Sequence, residues 1–470
     1  MSDFKNLQIG DNDLIGNKFN GHDLHFYLRE NHIDSSHLVW KKESDDINTY
    51  LIAGEKIDRE QIRQNTLDIQ KEYSLNSVLN PISYDILYNK LYLEADVIHF
   101  HLIHNNIFDI QLLPLMSRLK PIIWTVHDPW PTSGHCIESF DCQKWQTGCG
   151  DCHNLDIPFP LEKDNTALNY ELKKLAILNS KLDIIVASRY MKERLSSSDM
   201  FKNAKIHVVP FGINHEIFKS VDKKSVRLKL GVPEDAFVIS FRGDNNYKKG
   251  LDYIAYTIDK IKTNKKIYFL VFGGEYGNKN KKYNFLEYGW IKDDLLMADI
   301  YNASDLFLMP SIIESFGMMA IEAMSCGVMP IVLEGTALSD VINASECGVA
   351  IKRNKNAYAR AVQYYIDHND KRNEREKKCL EFARKKYNKD VYVNKIIALY
   401  RDVVKKHQMT KNDKFLLNQL KKYMVIEPKN QLSTNLKKSM DDDVLRNIHF
   451  STFILIKIKQ AWSLFLKRSK

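Results

Sequence analysis

The 470-residue sequence predicts an α/β protein of two Rossmann-like domains facing across a cleft, followed by a C-terminal helical tail. Three observations predict it. Short apolar runs alternate with helical patterns through the first half of the chain, as a parallel sheet covered by helices requires. A second series of the same kind begins near Lys205. The length suits two domains and an appendage, and a hydrophobic fraction of 44% with 11% aromatic residues is enough to fill two cores.

Taken in order, the first series reads LQIG near the start, DVIHFH (96–101), PIIWTV (121–126) and DIIVAS (183–188) as strands. Helical patterns fall between them, for example around Asp23–Asn31 and Ala167–Asn179. The second series reads KIHVVPFG (205–212), AFVISFR (236–242), KIYFLVFGG (266–274), DLFLMP (305–310) and MPIVL (329–333). The stretch Tyr358–Tyr400 is charged and strongly helical, as expected of helices that close the second domain. These readings place an N-terminal domain at 1–203, a second domain at 204–388, a closing helix at 389–412 and a basic amphipathic tail at 413–470. No internal repeat or low-complexity linker is evident. In doubly wound sheets ligands sit beyond the C-terminal ends of the strands, so residues that follow a strand are the first site candidates.

The segment Phe307–Val332, FLMPSIIESFGMMAIEAMSCGVMPIV, is the most informative of these junctions. It reads as a buried strand, a loop ending in Glu314, a helix carrying Glu322, then Gly327 and a second buried strand. The amides around Ser315, Phe316 and Gly317 open the helix, and unsatisfied N–H groups aided by the helix dipole suit a diphosphate. Glu314 lies before the helix and Glu322 more than a turn inside it, so the two reach different hydroxyls of one ligand. Arg242 directly follows a buried strand, and Gly250 lets the next helix start closely behind Lys249. This pair of cations suits the same diphosphate. His127 follows PIIWTV and opens the loop HDPWPTSGH; it reads either as a ligand of donor sugar or phosphate or as a loop-packing residue. Asp128 is also an ordinary turn former before Pro129. Gly16, in LIGNKFNG, permits close approach of a loop to a ligand, though a tight turn explains it almost as well.

These residues together resemble the family-4 retaining glycosyltransferases of GT-B fold, whose signature is a Glu, seven residues and a second Glu in this setting. The resemblance covers roughly residues 1–400. It includes HVVPFGINHEIF (207–218), with Asn214 where the family often has Asp, and FRGDNNYKKGLDYI (241–254), whose Arg242–Lys249 spacing is two residues longer than the commonest pattern. The resemblance is nearest to the bacterial branch that builds capsular, O-antigen and exopolysaccharide chains, on IGNKFNGHDL (15–24) and the Cys-containing loop. It implies that Glu314 approaches the donor sugar and Glu322 the nucleotide ribose. Arg242 and Lys249 would neutralise the diphosphate, and His127 would contact donor sugar or phosphate. It also implies a hexose moved from a UDP- or GDP-linked donor to a glycan or polyprenyl-linked saccharide, with retention of configuration. No catalytic metal is expected: the acidic clusters Asp11–Asp13 and Asp441–Asp443 lie outside the strand-end setting of a metal-binding DxD site. The alternative function is a catalytically silent nucleotide-sugar-binding scaffold of a polysaccharide assembly complex.

GHCIESFDCQKWQTGCGDCHN (134–154) gathers Cys136, Cys142, Cys149 and Cys152 in one loop. The two-residue gap between Cys149 and Cys152 suits a tetrahedral ion, and four thiolates complete a structural zinc site, with His135 and His153 as substitute ligands. An iron–sulfur cluster also satisfies the ligand count, and reduced cysteines bracing a long loop are the plain alternative. Cys326, Cys347 and Cys379 read as packing positions.

The net charge of +9 is moderate, but basic residues thicken toward the C-terminus. FSTFILIKIKQAWSLFLKRSK (450–470) places Ile454, Ile458, Trp462 and Phe465 on one helical face, with Lys459, Lys467 and Lys470 on the other side. That pattern suits an anionic membrane surface, and equally a helix docked on protein. Lys457 and Lys459 interrupt it too much to span a bilayer, and no N-terminal signal peptide is visible, so a cytoplasmic protein, peripheral to the inner face of the plasma membrane, is expected. A nucleic-acid partner is not expected, since a nucleic-acid-binding protein with a zinc module and basic tail does not explain the two α/β halves and no helix carries a base-reading pattern.

Overall fold

The computed structural model describes residues 4–16, 18–52, 59–157, 159–277 and 282–422. The chain divides into two compact units. One comprises Met1–Val186, Glu193–His207 and the chain from Ile397 onward; the other comprises Ala187–Lys192 and Val208–Ile396.

The first unit holds a seven-stranded sheet. Its strands are β1 (Lys5–Asn12), β2 (Asp34–Lys41), β3 (Thr49–Leu51), β4 (Val97–Phe100), β5 (Ile122–Thr125), β6 (Leu182–Val186) and β7 (Lys205–Val208). Their order is β3-β2-β1-β4-β5-β6-β7. The β1–β2 and β1–β4 pairs are both parallel, with Ile9 opposite Leu38 on one side and Phe100 on the other. β4 and β5 are buried along their whole length, as strands covered on both faces must be. The chain order reverses at β1, and the ends of β1 and β4 therefore flank a crevice of the kind that receives ligands.

The second unit repeats the plan with β8 (Phe237–Arg242), β9 (Ile267–Phe272), β10 (Asn284–Glu287), β11 (Leu306–Met309), β12 (Met329–Leu333) and β13 (Val349–Ile351). The order is β10-β9-β8-β11-β12-β13, so the reversal falls between β8 and β11. Arg242 ends β8 and the 310–317 loop leaves β11, which puts both motif segments at that reversal. Beneath the sheet, buried Asp305 receives Arg227 at 2.8 Å, Lys223 at 3.0 Å and the Val238 amide at 2.8 Å. Those bonds compensate a carboxylate that burial alone would disfavour.

Two boundaries differ from the sequence reading. The run 205–212 does not open the second sheet: its strand, β7, is the edge of the first, and the second unit takes over at Val208. The tail does not begin at 413. Helix Lys411–Lys422 buries Leu417 and Leu420, and its Asp413 accepts from the Arg118 guanidinium at 2.6 Å, so this helix belongs to the packing of the first unit. The amphipathic segment 450–470 lies outside the described residues. Among the described residues no helix is long and apolar enough to cross a membrane.

Candidate functional site

In the second unit the local fold explains why Lys249 and Glu314 meet. A 3-10 turn, Tyr247–Lys249, leads from β8 to helix Leu251–Lys260, with Gly250 between them in the left-handed region at φ 69°. A Cβ on Gly250 would stand 2.0 Å from the Pro310 carbonyl oxygen, so only glycine lets the turn lie against the end of β11. The Ile312 amide then donates to the Lys248 carbonyl at 2.8 Å. With the two loops tied, Lys249 Nζ reaches Glu314 Oε2 at 3.4 Å, both side chains keeping a quarter or so of their surface open.

The helix of the motif begins at Met318, just after the Ser315–Gly317 segment, with Gly317 as its N-cap. Gly317 has φ 99°, and a Cβ there would lie 2.3 Å from Leu338 Cδ2. Phe316 is buried, with its ring edge-on to Phe211, while the Ser315 carbonyl accepts from Ser188 Oγ at 2.7 Å. The 314–317 loop is thus fixed at several points and presents the helix start rather than forming part of it. Glu322 is 6% exposed on this helix. It faces Tyr301, whose hydroxyl is pushed well above its ordinary pKa by burial and then by the Glu322 charge.

Arg242 has a different partner from Lys249. Its Nη2 lies 2.8 Å from Asp244 Oδ2, and its guanidinium carbon lies 5.4 Å from the centroid of the Trp290 ring. Gly273, at the end of β9, makes room for this side chain: a Cβ there would meet Arg242 Cγ at 3.0 Å. Three cation and acid positions predicted from sequence, Arg242, Lys249 and Glu314, therefore gather at the reversal of the second sheet.

In the first unit His127 follows β5 and is half-buried. Its ring meets Phe19 edge-on at 5.5 Å and stacks on His101 at 5.9 Å. Loss of solvation pulls its pKa down to about 3, so the ring is neutral near neutral pH. The adjacent Asp128 holds two bonds, from His104 Nε2 at 2.8 Å and from the Trp130 amide at 2.9 Å. Burial opposes charge on both partners of the His104–Asp128 pair. Their mutual attraction outweighs it, raising His104 and lowering Asp128. Gly16 has φ 64°, and its carbonyl accepts from the Phe19 and Asn20 amides at 2.8 and 3.0 Å. The tight turn is sufficient reason for this glycine.

The cysteine loop is held by other contacts. Cys136, Cys142, Cys149 and Cys152 are all free thiols and half-buried. The Gly134 amide donates to Cys149 Sγ at 3.2 Å, and burial pushes that thiol up to about 12. Cys152 Sγ lies 3.6 Å from His135 Nε2 and donates to the Asn154 carbonyl at 3.3 Å. His153 is exposed. Soft thiolates suit zinc, but among the described residues no three His, Cys, Asp or Glu side chains converge to hold a metal ion. Arg194, stacked 3.3 Å over Trp145 and bonded to Ser139 Oγ at 2.8 Å, ties the loop to the first unit instead.

Asp244, Trp290, Tyr301, His101 and His104 were not foreseen. Only the spacing HFHLIH (99–104), which sets several histidines beyond a buried strand, carried a visible signal.

Solved structures share this fold, among them the two that follow. Sucrose-phosphate synthase from Thermosynechococcus elongatus matches with a TM-score of 0.59 at 18% identity, over 85% of this chain and 99% of that one. Anabaena HepE, solved with UDP and glucose, matches with a TM-score of 0.58 at 13% identity, over 85% of this chain and 100% of that one. The architecture is that of the GT-B glycosyltransferases. The family models are more specific: residues 222–386 match Glycosyl transferases group 1, and residues 84–217 match Glycosyltransferase Family 4. The first matched region lies wholly in the second unit, and the other lies mainly in the first.

Among curated relatives, an uncharacterized 41.2 kDa protein in the cps region of Klebsiella pneumoniae is 28% identical over 229 residues, 48% of this chain and 63% of its own length. An Escherichia coli (strain K12) protein with the provisional name colanic acid biosynthesis glycosyl transferase WcaC is 23% identical over 264 residues, 53% of this chain and 62% of its own. The matched regions span less than two thirds of these relatives.

Proposed function

We propose that the chain is a retaining glycosyltransferase that moves a hexose from a UDP- or GDP-linked donor to a glycan or lipid-linked saccharide during bacterial surface-polysaccharide synthesis. The meeting of Lys249 with Glu314 at the reversal of the second sheet, beside Arg242, is the observation that carries this reading. Breaking the anomeric bond leaves negative charge on the diphosphate and positive charge at the anomeric carbon. Fixed cations at the first and a carboxylate near the second stabilise that separation without reorganisation. Lys249 and Arg242 supply the cations, and the Gly317-capped helix start adds its amides.

Glu314 faces the sugar, and Glu322 takes the ribose. Substitution on the same face, with the departing phosphate taking the acceptor proton, gives retention using only these groups. Capsule- and colanic-acid-associated relatives support the polysaccharide setting. The basic segment 450–470 supports attachment to an anionic membrane surface. A zinc ion on the cysteine loop is a separate proposal: it requires Cys136, Cys142, Cys149 and Cys152 to draw closer than they stand. Metal analysis reading one zinc per chain would support it, and none would refute it.

The test is nucleotide release from a panel of UDP- and GDP-sugars, with the wild type beside Glu322→Ala and Arg242→Ala and lipid extract as acceptor source. Turnover of one donor, lost in both variants, is expected. Saturable binding with no turnover of any donor would overturn the catalytic reading in favour of the scaffold.

A further inference from the structure

A cavity of about 490 Å³ opens at the N-terminal edge of the first sheet, opposite the strand ends that carry His127. That volume is in the range of small-molecule sites. Every lining residue belongs to the first unit. Buried Pro121, Ile122, Leu182 and Val403 form its floor, at the starts of β5 and β6 and on helix Lys389–Lys406. Its rim is polar and is tied in place. The Lys181 amide donates to Ser117 Oγ at 3.0 Å, Ser180 Oγ to the Ala176 carbonyl at 2.7 Å, and the Asn203 side chain to the Leu178 carbonyl at 3.3 Å. The concavity is therefore formed before any ligand arrives.

Three lysines, Lys181, Lys205 and Lys406, stand around it with two aspartates, Asp183 and Asp402. Both acids are engaged. Asp402 Oδ2 accepts from Lys406 Nζ at 2.7 Å, and Asp183 Oδ1 lies 2.8 Å from His207 Nε2. Lys181 and Lys205 are exposed and form no ion pair among the described residues. Unpaired lysines on a convex surface are simply solvated, but around a concavity their fields add and concentrate anions. Two free ammonium groups match the charge of a phosphate monoester dianion, whose terminal oxygens accept several charge-assisted hydrogen bonds. The polar side chains of Asn179 and Gln408 at the rim, beside the apolar floor, suit a hydroxyl-bearing organic part.

We infer that this cavity is a second anion site, which binds an organic phosphate monoester through Lys181 and Lys205. It does not depend on the donor reading of the second unit. The phosphate belongs either to a soluble metabolite or to a lipid headgroup, and the chemistry of recognition is the same for both. Helix Lys389–Lys406, whose end walls the cavity, is also bonded into the core of the first unit. The Tyr400 hydroxyl lies 2.6 Å from His99 Nδ1 and accepts from Gln8 Nε2 at 2.9 Å, on β4 and β1. An occupant thus stabilises a wall already anchored to the sheet, and raises the melting temperature by mass action.

The experiment titrates the full chain with glycerol 3-phosphate, with inorganic sulfate as a control, and sediments it with phosphatidylcholine vesicles with and without phosphatidic acid. Lys181→Gln and Lys205→Gln are each expected to weaken the phosphate probe by about ten-fold. Both side chains are exposed, so these variants should melt as the wild type does without ligand. Asp402→Asn releases Lys406 and is expected to tighten binding, a gain that misfolding does not produce. Lys249→Ala binds as the wild type does, which separates this cavity from the candidate donor site. Lysine-dependent binding of either probe supports the inference: glycerol 3-phosphate points to a metabolite, and phosphatidic acid alone to a headgroup. Dependence on Lys181 and Lys205 also separates vesicle binding here from binding by the basic segment 450–470. No binding of either probe, binding indifferent to both lysines, or sulfate bound as tightly as glycerol 3-phosphate would overturn the inference.

Discussion

Replacing Gly250 by alanine tests how the Lys249–Glu314 meeting is built, and Gly231 provides an internal control. Both glycines have φ 69°. A side chain in that left-handed conformation costs about 1–2 kcal/mol. At Gly231 an added Cβ meets nothing within 4 Å, whereas at Gly250 it stands 2.0 Å from the Pro310 carbonyl oxygen. Separating those atoms means shifting backbone, a packing cost of about 1–3 kcal/mol more. Gly231→Ala is therefore predicted to lose about 1–2 kcal/mol and Gly250→Ala about 2–5 kcal/mol. For a domain of this size that is a fall in melting temperature of about 2–8 °C against about 4–20 °C.

Calorimetric melting of the two variants reads the difference directly. A nucleotide titration separates structural from local effects. Only Gly250→Ala pulls the Tyr247–Lys249 turn away from β11, so only that variant is predicted to lose nucleotide affinity. Equal melting temperatures and equal affinities in the two variants would refute the close-approach argument.

Two further outcomes follow from the charged pairs. Asp128→Asn removes the charge that raises His104, at a predicted cost of about 1–3 kcal/mol. His104 is raised, so its share of the stability is full below its ordinary pKa of 6.5 and is lost as pH climbs through the folded value. Asp128 is lowered, so its share is full above its ordinary 3.8 and is lost as pH falls through the folded value. Urea unfolding should thus show a larger gap between wild type and variant at pH 5.5 than at pH 8.5, and a constant gap would count against the pair. Asp305→Asn strands Arg227 and Lys223 in the second unit and is predicted to cost about 3–5 kcal/mol, measured as lost thermal stability, with a near-neutral change contradicting the burial argument.

Strands buried on both faces were legible because their composition has no other explanation. VIHF, IIWT, LFLM and MPIVL all lie where the apolar runs placed them. The short edge strands were not: TYL and VAI have three residues each, too few to show an alternation, and NFLE is half polar. β2 begins DSS, and its polarity hides a strand whose buried Ser35 bonds Asn6 and whose buried His37 bonds the Asn20 carbonyl through Nε2. The continuous run KIHVVPFG concealed a unit boundary, since which sheet a strand joins depends on pairing that no local pattern carries.

The site divides in the same way. Arg242, Lys249 and Glu314 were readable because their positions follow strands and their chemistry suits a diphosphate. Their partners were not. Asp244 sits two residues from the arginine it holds, in a loop whose course sequence does not fix. Tyr301 and Trp290 reach the site from segments whose nearness to it arises only in the folded sheet.

The most direct test of the central claim is backbone hydrogen exchange of the full chain with and without the nucleotide that binds best. Slowed exchange is predicted in the segments 242–250 and 312–323, where the cations, Glu314 and the Gly317-capped helix start lie. Protection confined to other segments, with these two unchanged, would contradict the placement of the donor site.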